Sequence, residues 1–429
     1  MYRMIEEDLK KWKNDKFHKP LIISGARQTG KTYSILKFVK NQYASYIYIN
    51  FERDLDIKSI FDRIARPDEI IMYLQTRFPE VDFSLDIAIV LDEIQACPQA
   101  LTTIKFLGSE TPHDYIISGS LLDVAIHHTS SYPVGYVQSL TMRPMNFKEF
   151  LYANHINDKQ IEYLKECFDQ GKPVMESIHQ IYMNLFKKYI ICGGMPEVVK
   201  TYCETKDFIK VQNIQHQIVE DYYRDMAKYA EYSDKIKVHD CFISIPEQLS
   251  KENKKFQYKL VREGGNAKIF ESSLQWLSDS GIIQKCTRLK TIDQPLRAYR
   301  ETSIFKVYMG DTGLLVSMFG IDSANKILTG NLGIYKGAIY ENITAQVLSE
   351  HHELYYFEPS AHNEIDFILN TNDSAIPIEV KRAGNTKSKS LKAYIEKYHP
   401  VYAYRFSSNN VNTQDPIIKD CPLYMLMFI

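Results

Sequence analysis

At 429 residues the chain has room for about two to four domains. With 45% apolar and 24% charged residues it has the composition of an ordinary folded protein, and its formal net charge of -1 excludes a global basic field, so any nucleic-acid contact must use local patches. The seven cysteines (Cys97, Cys167, Cys192, Cys203, Cys241, Cys286, Cys421) are scattered, odd in number and free of any C-x-x-C, which argues against a disulfide framework or zinc site and for a reducing compartment. The first dozen residues are charged, and no run of about 18 apolar residues is present to span a membrane. The expectation is a cytoplasmic protein without membrane contact.

In chain order, Met4, Ile5, Leu9 and Trp12 fall near one face of an amphipathic helix. The apolar run Leu21-Ile22-Ile23 predicts a strand, and Gly25-Ala26-Arg27-Gln28-Thr29-Gly30-Lys31-Thr32 follows it in the G-x-x-x-x-G-K-[ST] pattern. Glycines let the backbone curl so that successive N–H groups face phosphate oxygens, and the next helix adds its N-terminal dipole. Lys31 is expected to neutralise β/γ-phosphates, and Thr32 to place a hydroxyl on Mg²⁺. ATP and Mg²⁺ are therefore the expected cofactors.

Strands are expected at Tyr46–Phe51 and Ile87–Leu91, the latter ending in Asp92-Glu93-Ile94-Gln95. An acid at the end of an apolar strand is costly to bury unless it binds something. Asp92 is expected in the Mg²⁺ shell, Glu93 as general base for an attacking water, and Gln95 behind them. A fourth strand at Tyr115–Ile117 leads into Ser118-Gly119-Ser120, where Ser118 and Ser120 are sensor candidates for the γ-phosphate or the water. A fifth is expected at Tyr136–Leu140. Five strands alternating with helices imply a parallel sheet covered on both faces, with phosphates at its carboxyl edge.

GARQTGKT, the NFE after strand two, LDEIQ, SGS and MRPMNFKEFL occur in an order that resembles the AAA-type ATPases of bacteria and archaea that carry a C-terminal region behind the ATPase. Gly193-Gly194-Met195-Pro196-Glu197 and Asp221-Tyr222-Tyr223-Arg224-Asp225 are further phrases of that family. The resemblance implies that Arg143 or Arg224 serves as arginine finger or sensor, with a surface or structural arginine the competing reading for each. It also implies a helical lid, placed at residues 152–235 by helical periodicity, and leaves ring or dimer formation open, since such ATPases often complete their sites across subunits. The ATPase core is then residues 1–151.

Residues 236–315 read as three helices and a hairpin, the pattern of a winged helix. Lys and Arg outnumber Asp and Glu there by 13 to 9. That balance favours DNA weakly, with Lys254, Lys255, Lys259 and Lys268 as phosphate contacts; docking of a protein partner is the alternative. Residues 316–429 hold a second constellation. A helix opening at Gly337 carries Glu341, a strand carries Glu364-Ile365-Asp366, and the next carries Glu379-Val380-Lys381. An acid on one strand with E-x-K on its neighbour is the pattern of PD-(D/E)xK nucleases, and the resemblance adds Glu341; Glu364, not a Pro-Asp pair, precedes the acidic position. Asp366 and Glu379, with Glu341, would hold a second Mg²⁺ or Mn²⁺, and Lys381 would polarise water. Lys381, Arg382, Lys387, Lys389, Lys392 and Lys397 form a basic tract suited to phosphates.

The expected architecture is thus a multidomain α/β chain: a P-loop parallel sheet with helical lid, a winged helix and a restriction-endonuclease-like domain. Two function classes stand. In one, an Mg-dependent ATPase governs a DNA-binding and DNA-cleaving C-terminal region. In the other, ATP drives a signalling or scaffold switch whose nuclease-like domain is inactive and binds protein or DNA.

Overall fold

β-Branched runs closed by polar residues place the first sheet. The computed structural model describes residues 1–63, 66–120, 133–229, 234–320, 322–331, 333, 335–360, 363–371, 374–381 and 388–429. They divide into two compact units, residues 2–143 with 279–281, and residues 144–278 with 282–429 and Met1.

The first unit is built on five strands, β1 (Leu21–Ser24), β2 (Ser45–Asn50), β3 (Ile87–Asp92), β4 (Asp114–Ser118) and β5 (Gln138–Thr141). All pairs are parallel, in the order β2-β3-β4-β1-β5. β5 starts two residues later than the sequence predicts. Alternation along each strand feeds two cores. Ile22, Ile49 and Leu91 pack with the helices Leu55–Asp62, Pro67–Arg77 and Pro98–Glu110, whereas Leu21, Ile23 and Val90 pack with Ile5–Asn14 and Lys31–Gln42. β3 is buried throughout, as a strand covered on both faces must be. The register sets Asn50 beside Asp92 and Ile23 beside Ser118, so the polar strand ends gather at the carboxyl edge.

The second unit begins with the helices Phe147–Ala153, Asp158–Gln170, Glu176–Cys192, Pro196–Thr205, Phe208–Tyr229 and Lys235–Ser250. Seven strands follow: β6 (Ile283–Leu289), β7 (Arg300–Met309), β8 (Tyr355–Ser360), β9 (Asn363–Asn370), β10 (Ala375–Val380), β11 (Ala403–Ser407) and β12 (Ile418–Pro422). They form one mixed sheet in the order β12-β11-β10-β9-β8-β6-β7.

This sheet runs across the expected division of the chain. Three helices and the antiparallel β6–β7 hairpin do follow one another, and the hairpin is joined to the strands that follow it. β6 also pairs in parallel with β8 through Thr287–Tyr355, Arg288–Tyr356 and Leu289–Phe357, so a boundary at 315 cuts a continuous sheet. The physical reason is the open edge of β6: its backbone groups need a partner, and β8 supplies it. One apolar core runs from Met145 and Phe147 through Tyr189, Phe242 and Ile343 to Leu426, so the expected lid region shares its core with the sheet. Among the described residues no helix is long and apolar enough to cross a membrane.

Candidate nucleotide site and a buried charge cluster

The loop after β1 turns where only glycine fits. Gly25 has φ +133°, and a Cβ there would lie 2.1 Å from the Met142 carbonyl oxygen. Gln28 and Gly30 also take positive φ, 64° and 89°, and the helix starts at Lys31. Thr29 Oγ1 donates to the Ala26 carbonyl at 3.0 Å. Arg3, buried in the first helix region, donates through Nη1 to the Thr29 carbonyl (2.6 Å) and through Nη2 to the Arg143 carbonyl (2.7 Å). The sequence reading missed Arg3, because one arginine ahead of an amphipathic helix carries no signal of a distant partner.

Lys31 is buried, and its Nζ donates to the carbonyls of Gly25 and Ala26, both at 2.8 Å. Burial pushes its pKa down to about 8, against the pull of Glu93 and Asp92. The loop and the end of β3 meet at Asp92, 60 residues away. Thr32 Oγ1 donates to Asp92 Oδ2 at 2.8 Å, as does the Tyr48 hydroxyl. The other carboxylate oxygen accepts from the Ser118 hydroxyl and, at 3.0 Å, from the Glu93 N–H. Tyr48 is a second residue the sequence reading missed; burial, with Asp92 beside it, raises its phenol to about 12.

Glu93 sits in the left-handed region (φ 55°, ψ 46°), a conformation that costs a non-glycine residue energy and is found where function constrains the backbone. Its Oε2 accepts from Gln95 Nε2 and, at 3.4 Å, from Ser120 Oγ. Thus Ser118 supports Asp92 and Ser120 supports Glu93, and Gln95 lies behind Glu93. Thr32 and Asp92 present hard oxygen donors side by side, a set that fits Mg²⁺. Arg27 and Gln28 lie on the loop, and Arg143 is half-buried at the end of the first unit. Arg224 belongs to the second unit, where it is exposed and pairs with Asp221 at 3.2 Å on its own helix.

In the second unit the expected carboxylates are sorted differently from the sequence reading. Glu341, Glu364 and Asp366 lie together, one ligand atom of each within 4.8 Å of the others. Glu379 is not in this group. Val380 packs against the core that holds the Glu341 helix, so strand alternation turns Glu379 and Lys381 to the opposite face, where they pair with each other. An irregularity in the β8–β9 register, between the Tyr355–Ile368 and Phe357–Ile365 pairs, brings Asp366 round to the Glu341 side. Asp366 there accepts the Val380 N–H at 2.7 Å. The expected joint chelation by Asp366 and Glu379 is therefore not assembled.

The three acids also have a resident cation. Lys306, fully buried, bonds Glu364 and lies 3.7 Å from Glu341, and Lys254 bonds Glu341 as well. Burial would lower the Lys306 ammonium, but Glu341, Glu364 and Asp366 outweigh it and hold it above its usual value. Burial raises Asp366 to about 8, with Glu341 adding to the effect. Burial opposes ionisation of Glu341, yet Lys254 and Lys306 prevail and depress it. Lys306 and Lys254 thus face Glu341 and Glu364 directly. A divalent cation does not fit this set while Lys306 fills it. Lys254 and Lys255 are engaged with Glu341 and Glu358, in place of the expected phosphate contacts; Lys259 and Lys268 lie on the two following helices. Arg382 and Lys387 fall outside the described residues.

Comparisons with known proteins divide the chain in three. A family model described as AAA domain matches residues 17–151, and two described as domains of unknown function (DUF8612 and DUF4143) match residues 183–325 and 336–425. No curated relative matches. Among solved structures, the Walker-type ATPase PABY2304 of Pyrococcus abyssi aligns at 13% identity over 74% of this chain and 96% of its own, with a TM-score of 0.43. The Aeropyrum pernix ORC1 protein, solved in complex with DNA, aligns at 13% over 76% and 90%, TM-score 0.29. Cdc6p of Pyrobaculum aerophilum aligns at 14% over 76% and 93%, TM-score 0.28. All three TM-scores lie below 0.5, so function is read from the site itself. The residues matched by the model described as AAA domain, 17–151, contain all five strands of the parallel sheet.

Proposed function

We propose that the chain is an Mg²⁺-dependent ATPase. The contact between Thr32 and Asp92 carries this reading, since it joins the phosphate loop to an acidic strand end followed by Glu93. Backbone N–H groups of residues 25–32 and Lys31 would hold the phosphates, and Thr32 and Asp92 would hold Mg²⁺. When bound, Mg²⁺ neutralises phosphate charge and orients the terminal group. Glu93, steadied by Gln95 and Ser120, would take a proton from water; Ser118 and Tyr48 keep Asp92 in position. Arg143 and Arg224 remain alternatives for an arginine acting on the phosphates, Arg224 by way of a homo-oligomer. Steady-state hydrolysis and nucleotide binding test the roles. Lys31→Ala should abolish binding, and Glu93→Gln should bind normally while hydrolysis falls about 100-fold or more. Full turnover in Glu93→Gln removes it as the base.

For the second unit we infer a binding role without DNA cleavage. Lys306 among Glu341, Glu364 and Asp366 favours it, as does the turn of Glu379 and Lys381 to the other face. The ATPase would then switch a module that contacts DNA or a protein partner. Plasmid and branched DNA incubated with Mg²⁺ or Mn²⁺, with and without ATP, should stay intact. Cutting that disappears in Asp366→Ala and Lys381→Ala would establish the nuclease instead.

A further inference from the structure

The face of the second sheet covered by the helix Lys389–Tyr398 contains a cavity of about 550 Å³, whose lining includes Ser388, Lys389, Lys392, Arg405, Asp415 and Asp420. Ser388 is the N-cap of that ten-residue helix and makes no capping bond. Its residue is only 2% exposed, and its Oγ has no hydrogen-bond partner among the described residues. A serine at this position ordinarily satisfies a first-turn N–H; here both the hydroxyl and the helix N-terminus keep their capacity beside the cavity. Lys389 and Lys392, three apart, share a helix face and are exposed.

The acids of the cavity are already engaged. Asp420 receives both arms of Arg405, one of them at 2.7 Å. Asp415 accepts the N–H groups of Ile417 (2.9 Å) and Ile418 (3.0 Å), and it also feels Lys392. A buried hydroxyl, an uncapped helix start and two ammoniums call for a multivalent oxyanion. We propose that this cavity binds a phosphate group, as free phosphate or nucleotide or as part of a nucleic-acid backbone, with Ser388 and the first helical turn donating and Lys389 and Lys392 supplying charge. The site is independent of residues 25–32 and of either reading of the acidic cluster.

The test titrates the full chain with inorganic phosphate by calorimetry, in the presence of Mg²⁺ and a non-hydrolysable ATP analogue to occupy the first site. One saturable phosphate site is expected, weakened about tenfold or more in Ser388→Ala and in Lys392→Gln. Lys392 is exposed, so its variant should melt as the wild type does and keeps the test sound if Ser388→Ala folds poorly. Phosphate left bound at residues 25–32 would not respond to Lys392→Gln. Absence of a saturable site, or affinity unchanged in both variants, overturns the proposal. Competition then names the source: displacement by short single-stranded DNA below the phosphate concentration assigns a backbone phosphate, and displacement by nucleoside monophosphate alone assigns a free one.

Discussion

Lys31 shows how a residue can be legible in type yet not in state. The pattern predicts a cation for phosphates, but its burial against the carbonyls of Gly25 and Ala26 emerges only once the loop is folded. Burial lowers its pKa to about 8, which gives a pH dependence. Phosphate attracts the protonated form, so affinity should be full below pH 8 and fall as pH rises through it, with proton uptake accompanying binding above pH 8. The dissociation constant of Mg-ATP measured from pH 6.5 to 9.5 checks this, with Lys31→Arg, whose guanidinium stays charged, expected to flatten the curve. The stability sign runs the other way. The unfolded chain binds this proton more readily than the folded one between pH 8 and the usual lysine range. The unliganded protein should therefore gain stability from this group as pH rises through that window.

Single elements explain phrases that sequence reading assigned to kinship alone. Gly194 donates its N–H to Asp311 Oδ2 at 2.6 Å, and a Cβ on Gly193 would meet Asp311 Oδ1 at 2.1 Å. Asp311 also caps its own helix through the Leu314 N–H. The glycine pair is thus a close approach between a helix end and a helix start. β7 makes a parallel case. It carries Lys306 into the acid cluster, a residue no motif marked, since its meaning depends on a strand residue 58 positions away. Lys306→Met should leave half-exposed Glu364 without its ammonium and buried Glu341 with Lys254 alone, and destabilise the second unit by about 1–3 kcal/mol, read from its urea midpoint. If Mn²⁺ restores the midpoint, the acids can take a metal once the lysine is gone; an unchanged midpoint without Mn²⁺ would show that Lys306 is not the counter-charge.

At the scale of the molecule, local chemistry was legible and long-range partnership was not. Residues 21–32 and 87–93 announced a phosphate loop and an acidic strand end, because glycine, lysine and carboxylate types at those spacings answer one ligand's demands. Apolar runs closed by polar residues likewise marked the five strands of the first sheet, though not their order in it, and most of the later strands. Tertiary structure alone decided that β6 pairs with β8, which merges the expected winged helix with the C-terminal sheet. It alone decided that a register irregularity in β9 parts Asp366 from Glu379. Both outcomes depend on which backbone edge finds which partner and on a single-residue change of face. Sequence spacing encodes what a residue can do; its neighbours across the sheet determine what it meets.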